Sequence, residues 1–334
     1  MMKEAIISAH GLSIGYPKDK TRQSLYDGLS FNLLSGELTC LLGANGAGKS
    51  TLLRTISRMQ PALSGEIQIG SQNLKEYSEQ ELSQTLGLVL TDKISAGGFT
   101  VRELVSLGRY PYTGFWGNLT SNDMSIVDRA MADVCILHKA NAYIAELSDG
   151  ERQKVMIAKA LAQQCPIILL DEPTAYLDVP SRIEIMNLLH SLVEKQGIAV
   201  LLSTHDIEAA LMLADRLWLL SSKTGLSCGM TEDIIVSGKI TSFFEQSNIS
   251  FDRETGRFRP TSQMQKKAHI MGEKEYSYWA ENFLSRNNYA TVPPEMNADI
   301  DLILKSGNDM LLRSNNEEFR VSSFESLADL LKQI

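Results

Sequence analysis

Apolar residues along this 334-residue chain change their spacing several times, and each change marks a different kind of element. Near the N-terminus they fall in short stretches: Ile14, then Leu29, Phe31 and Leu33, then Leu38, Leu41 and Leu42. Gly11, Gly15, Gly28 and Gly36 break these stretches, which predicts strands joined by turns. The strand Leu38–Leu42 runs into a glycine-rich loop, Gly43–Gly48. A helix follows from Lys49 and ends by Pro61, and the next strand is Glu66–Ile69. Residues 75–165 read as mostly helical around one strand, Leu86–Leu90. Helices open at Thr100, span Ser121–Leu137 and begin again at Ser148. Beyond them, apolar runs at Ile167–Leu170 and Ile198–Ser203 alternate with helical patterns at Arg182–Lys195 and Ile207–Ala214. Unbroken apolar strands belong to a sheet covered on both faces, so the expected class is α/β.

The pattern changes again near residue 225, where Gly225, Gly229 and Gly238 break up short strands. Residues 260–275 are polar and charged and read as a linker. Residues 276–334 read as a small α+β appendage. In it, Tyr276, Trp279, Ala280 and Phe283 share one helical face, and Ile300, Leu302 and Leu304 alternate as in a strand. Asn315-Asn316 predicts a turn, and Phe324, Leu327, Leu330, Leu331 and Ile334 fit a closing amphipathic helix. The expected domains are therefore 1–259 and 276–334.

Composition narrows the function classes. Lys and Arg number 32 against 40 Asp and Glu, a formal charge of −8. Residues 260–334 hold 8 basic and 11 acidic residues, so the tail is no basic arm. General nucleic-acid binding needs clustered cations and is not expected. Any polyanion must be caught locally, by backbone amides and a few placed cations. Cys40, Cys135, Cys165 and Cys228 form no C-x-x-C pair and read as small buried residues of a reducing compartment. The N-terminal segment lacks the apolar run of a secretory leader, and no stretch approaches the ~18 apolar residues of a spanning helix. The expected location is the cytosol. If the chain serves a membrane process, another chain does the spanning.

Two segments carry chemistry. Gly43-Ala44-Asn45-Gly46-Ala47-Gly48-Lys49-Ser50-Thr51 fits G-x-x-x-x-G-K-[ST] between a strand and a helix. Its glycines let successive N–H groups curl around phosphate oxygens, and the helix N-terminus adds partial positive charge. Lys49 is placed for the β- and γ-phosphates and Ser50 for Mg²⁺. The second segment, Ile167–Thr174, is a buried strand ending in Asp171-Glu172. An isolated acidic pair at a strand end is ordinarily just solvated. Beside a phosphate loop, Asp171 is the expected Mg²⁺ carboxylate and Glu172 the group that polarises the attacking water.

Further segments bring in a family. Leu147-Ser148-Asp149-Gly150-Glu151-Arg152-Gln153 resembles the L-S-G-G-Q signature of ATP-binding-cassette (ABC) ATPases. Tyr16 resembles the aromatic residue that stacks on adenine in that family. Ala175-Tyr176-Leu177-Asp178 resembles its D-loop, and Ser203-Thr204-His205-Asp206 its switch-histidine segment. The motifs occur in the family's order across residues 3–240. The resemblance implies a P-loop NTPase core with an antiparallel β subdomain and a helical subdomain. It also implies ATP and Mg²⁺ as cofactors and two cassettes paired head to tail around the nucleotide. One copy supplies the phosphate loop, Asp171, Glu172 and His205; the other supplies Ser148 and Gly150. This chain has one of each, so it is expected to pair with a second copy.

Two departures stand out. Asp149 and Glu151 replace Gly and Gln of the signature, and the S-x-x-E spacing of Ser148 and Glu151 predicts a capping box. Where the family carries a metal-contacting glutamine, this chain has Thr91-Asp92, and Thr91 or Asp92 is the candidate replacement, with Thr91 the candidate metal contact. Thr100-Val101-Arg102-Glu103-Leu104-Val105-Ser106-Leu107-Gly108-Arg109-Tyr110-Pro111 resembles the segment of importer cassettes for ferric siderophores, haem and cobalamin. That resemblance implies separate transmembrane permease subunits, which dock near this segment on the cytoplasmic face of the membrane, and indirectly an external solute-binding protein. Other readings are a cassette for another small solute or metal, or a soluble ABC ATPase of translation or DNA repair. The single cassette and the lack of long insertions count against the last.

Overall fold

The computed structural model describes residues 4–17, 22–90, 98–114, 116–244, 249–252, 256–260, 264–306, 309–314 and 317–333. Its chain divides into two compact units, 1–259 and 260–334.

The first unit opens with β1 (Ala5–Pro17), β2 (Arg22–Leu34), β3 (Leu38–Leu42), α1 (Lys49–Ile56), β4 (Ser64–Ile69), β5 (Gln72–Asn73), α2 (Glu79–Thr85) and β6 (Leu86–Val89). A helical stretch follows: α3 (Val101–Ser106), α4 (Ser121–Asp133) and α5 (Asp149–Ala162). The chain then alternates through β7 (Ile167–Asp171), α6 (Val179–Gln196), β8 (Ala199–Thr204), α7 (Ile207–Leu213), β9 (Arg216–Ser221) and β10 (Gly225–Met230). It ends in α8 (Thr231–Val236), α9 (Lys239–Phe244) and a hairpin of β11 (Ile249–Asp252) and β12 (Arg257–Pro260).

Two sheets organise these elements. One is antiparallel, in the order β2-β1-β4-β5. The other, β10-β9-β3-β8-β7-β6, is parallel except for β10. The second explains the unbroken apolar runs. Side chains alternate across a strand. Ile168, Leu170, Val200 and Leu202 enter one core with the helical subdomain, while Ile167, Leu169, Ala199 and Leu201 enter a second core with α1 and the antiparallel sheet. Both faces are buried, as the sequence pattern requires. The helix expected over 121–137 stops at Asp133, because Cys135 takes a left-handed φ of 58° and turns the chain.

The second unit is a five-stranded sheet with two helices. Its elements are β13 (Lys266–Gly272), α10 (Lys274–Arg286), β14 (Tyr289–Thr291), β15 (Ile300–Ser306), β16 (Asp309–Ser314), β17 (Glu317–Val321) and α11 (Phe324–Leu331), in sheet order β14-β13-β15-β16-β17. Two sequence expectations change here. Seven residues of the segment read as a linker form strand β13, which pairs with both β14 and β15; it buries only Ala268 fully, so its composition looks like a connector. Trp279 is not on the core face of α10. It is 62% exposed, and Ala280, Phe283 and Leu284 make the contact instead. Asn315, Asn316 and Ile334 lie outside the described residues.

Candidate functional site

The loop 43–48 joins β3 to α1 at the C-terminal edge of the parallel sheet. Its curl depends on Gly46 (φ 77°) and Gly48 (φ 91°), backbone values that side chains disfavour. A Cβ on Gly48 would also stand 3.3 Å from the Tyr26 ring. The same Tyr26, on β2, donates from its hydroxyl to the Ala47 carbonyl at 2.8 Å, and burial pushes its pKa up. Tyr26 therefore braces the loop from below. Nothing in the sequence pattern singled it out, because it sits among alternating strand residues.

Lys49 is buried at the start of α1 and folds back over the loop. Its Nζ donates to the Gly43 carbonyl at 2.9 Å and lies 3.6 Å from Glu172 Oε1. Ser50 and Thr51 follow in the first turn, and the Thr51 hydroxyl meets the Tyr16 hydroxyl at 3.2 Å. Tyr16 thus leaves its β1 strand with half its surface open beside the loop.

Asp171 ends β7 on the face that carries Ile167 and Leu169 toward α1. It is buried, and Ser203 of the neighbouring β8 donates to its Oδ1 at 2.6 Å. Glu172 takes a left-handed φ of 48°, rare for a side chain of its size and a mark of functional turns. Its carboxylate lies between Lys49 and His205, whose Nδ1 is 3.7 Å from Oε2. Ala44, Asn45, Gly46, Ala47, Thr204 and His205 line one cavity of about 640 Å³ together with Phe243 and Phe244. Hard oxygen donors suited to Mg²⁺ are present in the Ser50 hydroxyl and the Asp171 carboxylate.

Ser148 and Gly150 line no part of that cavity. Ser148 caps α5. Its hydroxyl accepts from Glu151 N at 3.3 Å, and Glu151 Oε2 accepts from Ser148 N at 3.0 Å. This is the expected capping box, and Lys139 seals it at 2.5 Å from Glu151 Oε1. Lys139 first, then the Ser148 amide, pull the Glu151 carboxyl down to about 2. Asp149 pairs with Arg152 at 3.4 Å. Asp178 caps α6 by accepting from Ser181 N at 3.0 Å, and the Ser181 hydroxyl first, then that amide, lower its pKa. Thr91 and Asp92 lie outside the described residues.

The segment 100–111 proves to be a clamp. A Cβ on Gly108 would stand 2.2 Å from the Lys159 carbonyl, so α3 and its extension lie directly on α5. Arg109 is buried and binds Asp123 Oδ1 at 2.9 Å, the Ala162 carbonyl at 2.8 Å and Gln164 Oε1 at 3.0 Å. The Thr120 hydroxyl and amide, with Arg109, hold the Asp123 carboxyl down to about 2. Leu107 and Tyr112 are partly open, and Tyr110 is 73% exposed.

A strand–loop–helix with a buried lysine, facing an acidic strand end, defines a P-loop nucleotide-binding protein of the α/β class. Comparison with known proteins narrows that class. The ABC transporter family model matches residues 26–175. The ferric enterobactin transport ATP-binding protein FepC of Escherichia coli is 32% identical over 238 residues, covering 71% of this chain and 86% of that protein. The iron(3+)-hydroxamate import ATP-binding protein FhuC of Bacillus subtilis is 33% identical over 234 residues, covering 69% and 86%. A dimeric bacterial ABC transporter cassette aligns with TM-score 0.59 and 27% identity over 67% of this chain and 98% of that one. The chain belongs to the ABC transporter family, as an ATP-binding cassette with ATPase activity.

Proposed function

We propose that this cassette energises import of an iron chelate of the siderophore kind, or of haem or cobalamin, through a separate membrane permease. Two copies close around ATP on the cytoplasmic face of the membrane. The observation that carries the pairing is the separation of the half-sites. Lys49, Glu172 and His205 lie against one another, with Ser203 tying Asp171 to them, while Ser148 is engaged with Glu151 in the cap of α5 and Gly150 faces Ser181. A second copy supplies the missing cover. The names of FepC and FhuC support the substrate class.

In this reading the loop amides and Lys49 hold the phosphates, and Tyr16 stacks on the base. Asp178 belongs to the D-loop at the interface between the copies. Mg²⁺, when bound by Ser50 and Asp171, with Thr91 as a further candidate ligand, neutralises charge on the transferred phosphoryl group. Glu172 orients and polarises the attacking water, and His205 contacts the γ-phosphate. Closure is ligand-driven, because ATP touches both copies only in the closed state. The permease docks on Leu107, Tyr110 and the groove that they line with Glu79, Gln80 and Pro111.

The test is Glu172→Gln with saturating ATP and the permease. A nucleotide-bound dimer is expected by light scattering, with turnover reduced about 100-fold or more. Monomers under those conditions, or wild-type turnover, sink the reading. Iron-chelate and cobalamin uptake by cells lacking the chain then separates the substrates.

A further inference from the structure

Ser203 is fully buried beside the acidic strand end, and its hydrogen atom can be placed by elimination. The Glu172 amide can only donate, and it points at Ser203 Oγ at 2.9 Å. The hydroxyl proton is therefore directed to Asp171 Oδ1, at 2.6 Å, a short O–H···carboxylate bond. Register explains how one group reaches both residues. Asp171 and Ser203 are partners across the parallel β7–β8 pair, so their side chains share a face. Two residues further on, just past the end of β8, His205 approaches the Glu172 carboxylate. β8 thus holds Glu172 at its backbone and fixes the carboxylate before it, while the residue that follows the strand flanks the Glu172 head.

We propose that Ser203 is a positioning residue for ATP hydrolysis. It sets the Asp171 carboxylate for Mg²⁺ and the backbone turn that aims Glu172. The proposal rests on the roles given above to Asp171 and Glu172. A carboxylate that loses such an outer-shell partner typically loses 10- to 100-fold in metal affinity or activity. Ser203→Ala leaves no orphaned donor, because the Glu172 amide also reaches the Ser203 carbonyl at 3.1 Å. The change is therefore directed at the carboxylate rather than at the fold.

The experiment measures nucleotide affinity of the full-length chain in Mg²⁺ and in EDTA, together with turnover. In Ser203→Ala, affinity in EDTA is expected to stay within about twofold of wild type. The gain on adding Mg²⁺ should shrink about tenfold, and kcat should fall by about tenfold or more with little change in KM. Ser203→Cys keeps a side-chain atom there with a weaker donor and reads the same quantities if the alanine variant does not fold. A wild-type Mg²⁺ gain and kcat in the variant overturn the proposal, as does an equal loss of affinity with and without Mg²⁺. Glu172→Gln, run alongside, separates the failures. If it abolishes turnover and Ser203→Ala does not, only the proposal falls; if neither variant slows turnover, the reading of the site falls with it.

Discussion

Two histidine–carboxylate pairs in this chain look alike on paper and behave as opposites. In the second unit His269 Nδ1 meets Asp301 Oδ1 at 2.7 Å, and Nε2 meets the Met296 carbonyl at 2.8 Å. Both ring nitrogens face acceptors, which favours the imidazolium and raises its pKa, with Asp301 the main cause. Asp301 lies in register with Arg313 on the next strand, and Arg313 binds Glu318 beyond it at 2.7 Å. In the cassette, His205 stands 3.7 Å from Glu172 with 54% of its side chain open, beyond hydrogen-bonding distance. Glu172 is also 3.6 Å from Lys49. Saturated pairs hold a sheet together, whereas the loose cluster keeps donors and acceptors for something that arrives later.

The sharpest way to break this contrast is His205→Gln against His269→Gln. The first should lower turnover about 100-fold, as loss of one aimed donor does. The second should leave turnover within about twofold of wild type. Comparable losses in steady-state hydrolysis would erase the distinction.

A third pair tests whether burial alone makes a charge structural. Asp123→Asn leaves Arg109 buried without its counter-ion and should cost about 3 kcal/mol in denaturant unfolding of the cassette. The Asp123 carboxyl is held down to about 2. Its stabilisation is therefore complete above the ordinary carboxylate range and is lost as pH falls toward 2. An unchanged unfolding midpoint for Asp123→Asn would show that the pair contributes nothing net.

The smallest effect concerns His269. Its pKa is raised in the fold, so its contribution is present in full below the ordinary histidine range. It is lost as pH climbs through the raised value. Melting of the second unit followed from pH 6 to pH 9 should fall more steeply in wild type than in Asp301→Asn. Parallel curves would remove the clasp.

These residues also show where sequence stops being informative. The phosphate loop and the Ser148–Glu151 cap were legible because each is a local pattern whose chemistry lies within a few residues of chain. Ser203 and Tyr26 were not, since their contacts depend on which strands become neighbours. Ser203 is 32 residues from Asp171, and Tyr26 is 21 from Ala47. Strand β13 was hidden by its own composition, because it buries little beyond Ala268. Trp279 misled for the opposite reason: a large apolar ring at helical spacing faces outward, and small Ala280 takes the inner position.

Gly108 and Arg109 have one more consequence. They grip the last turns of α5, and Ser148 caps its first turn. The helix has 14 residues, which makes it a strut about 21 Å long. With no side chain between Gly108 and the Lys159 carbonyl, there is no cushion to absorb a displacement. The surface at Tyr110 is therefore continuous, through one helix, with the end where Ser148 and Gly150 sit.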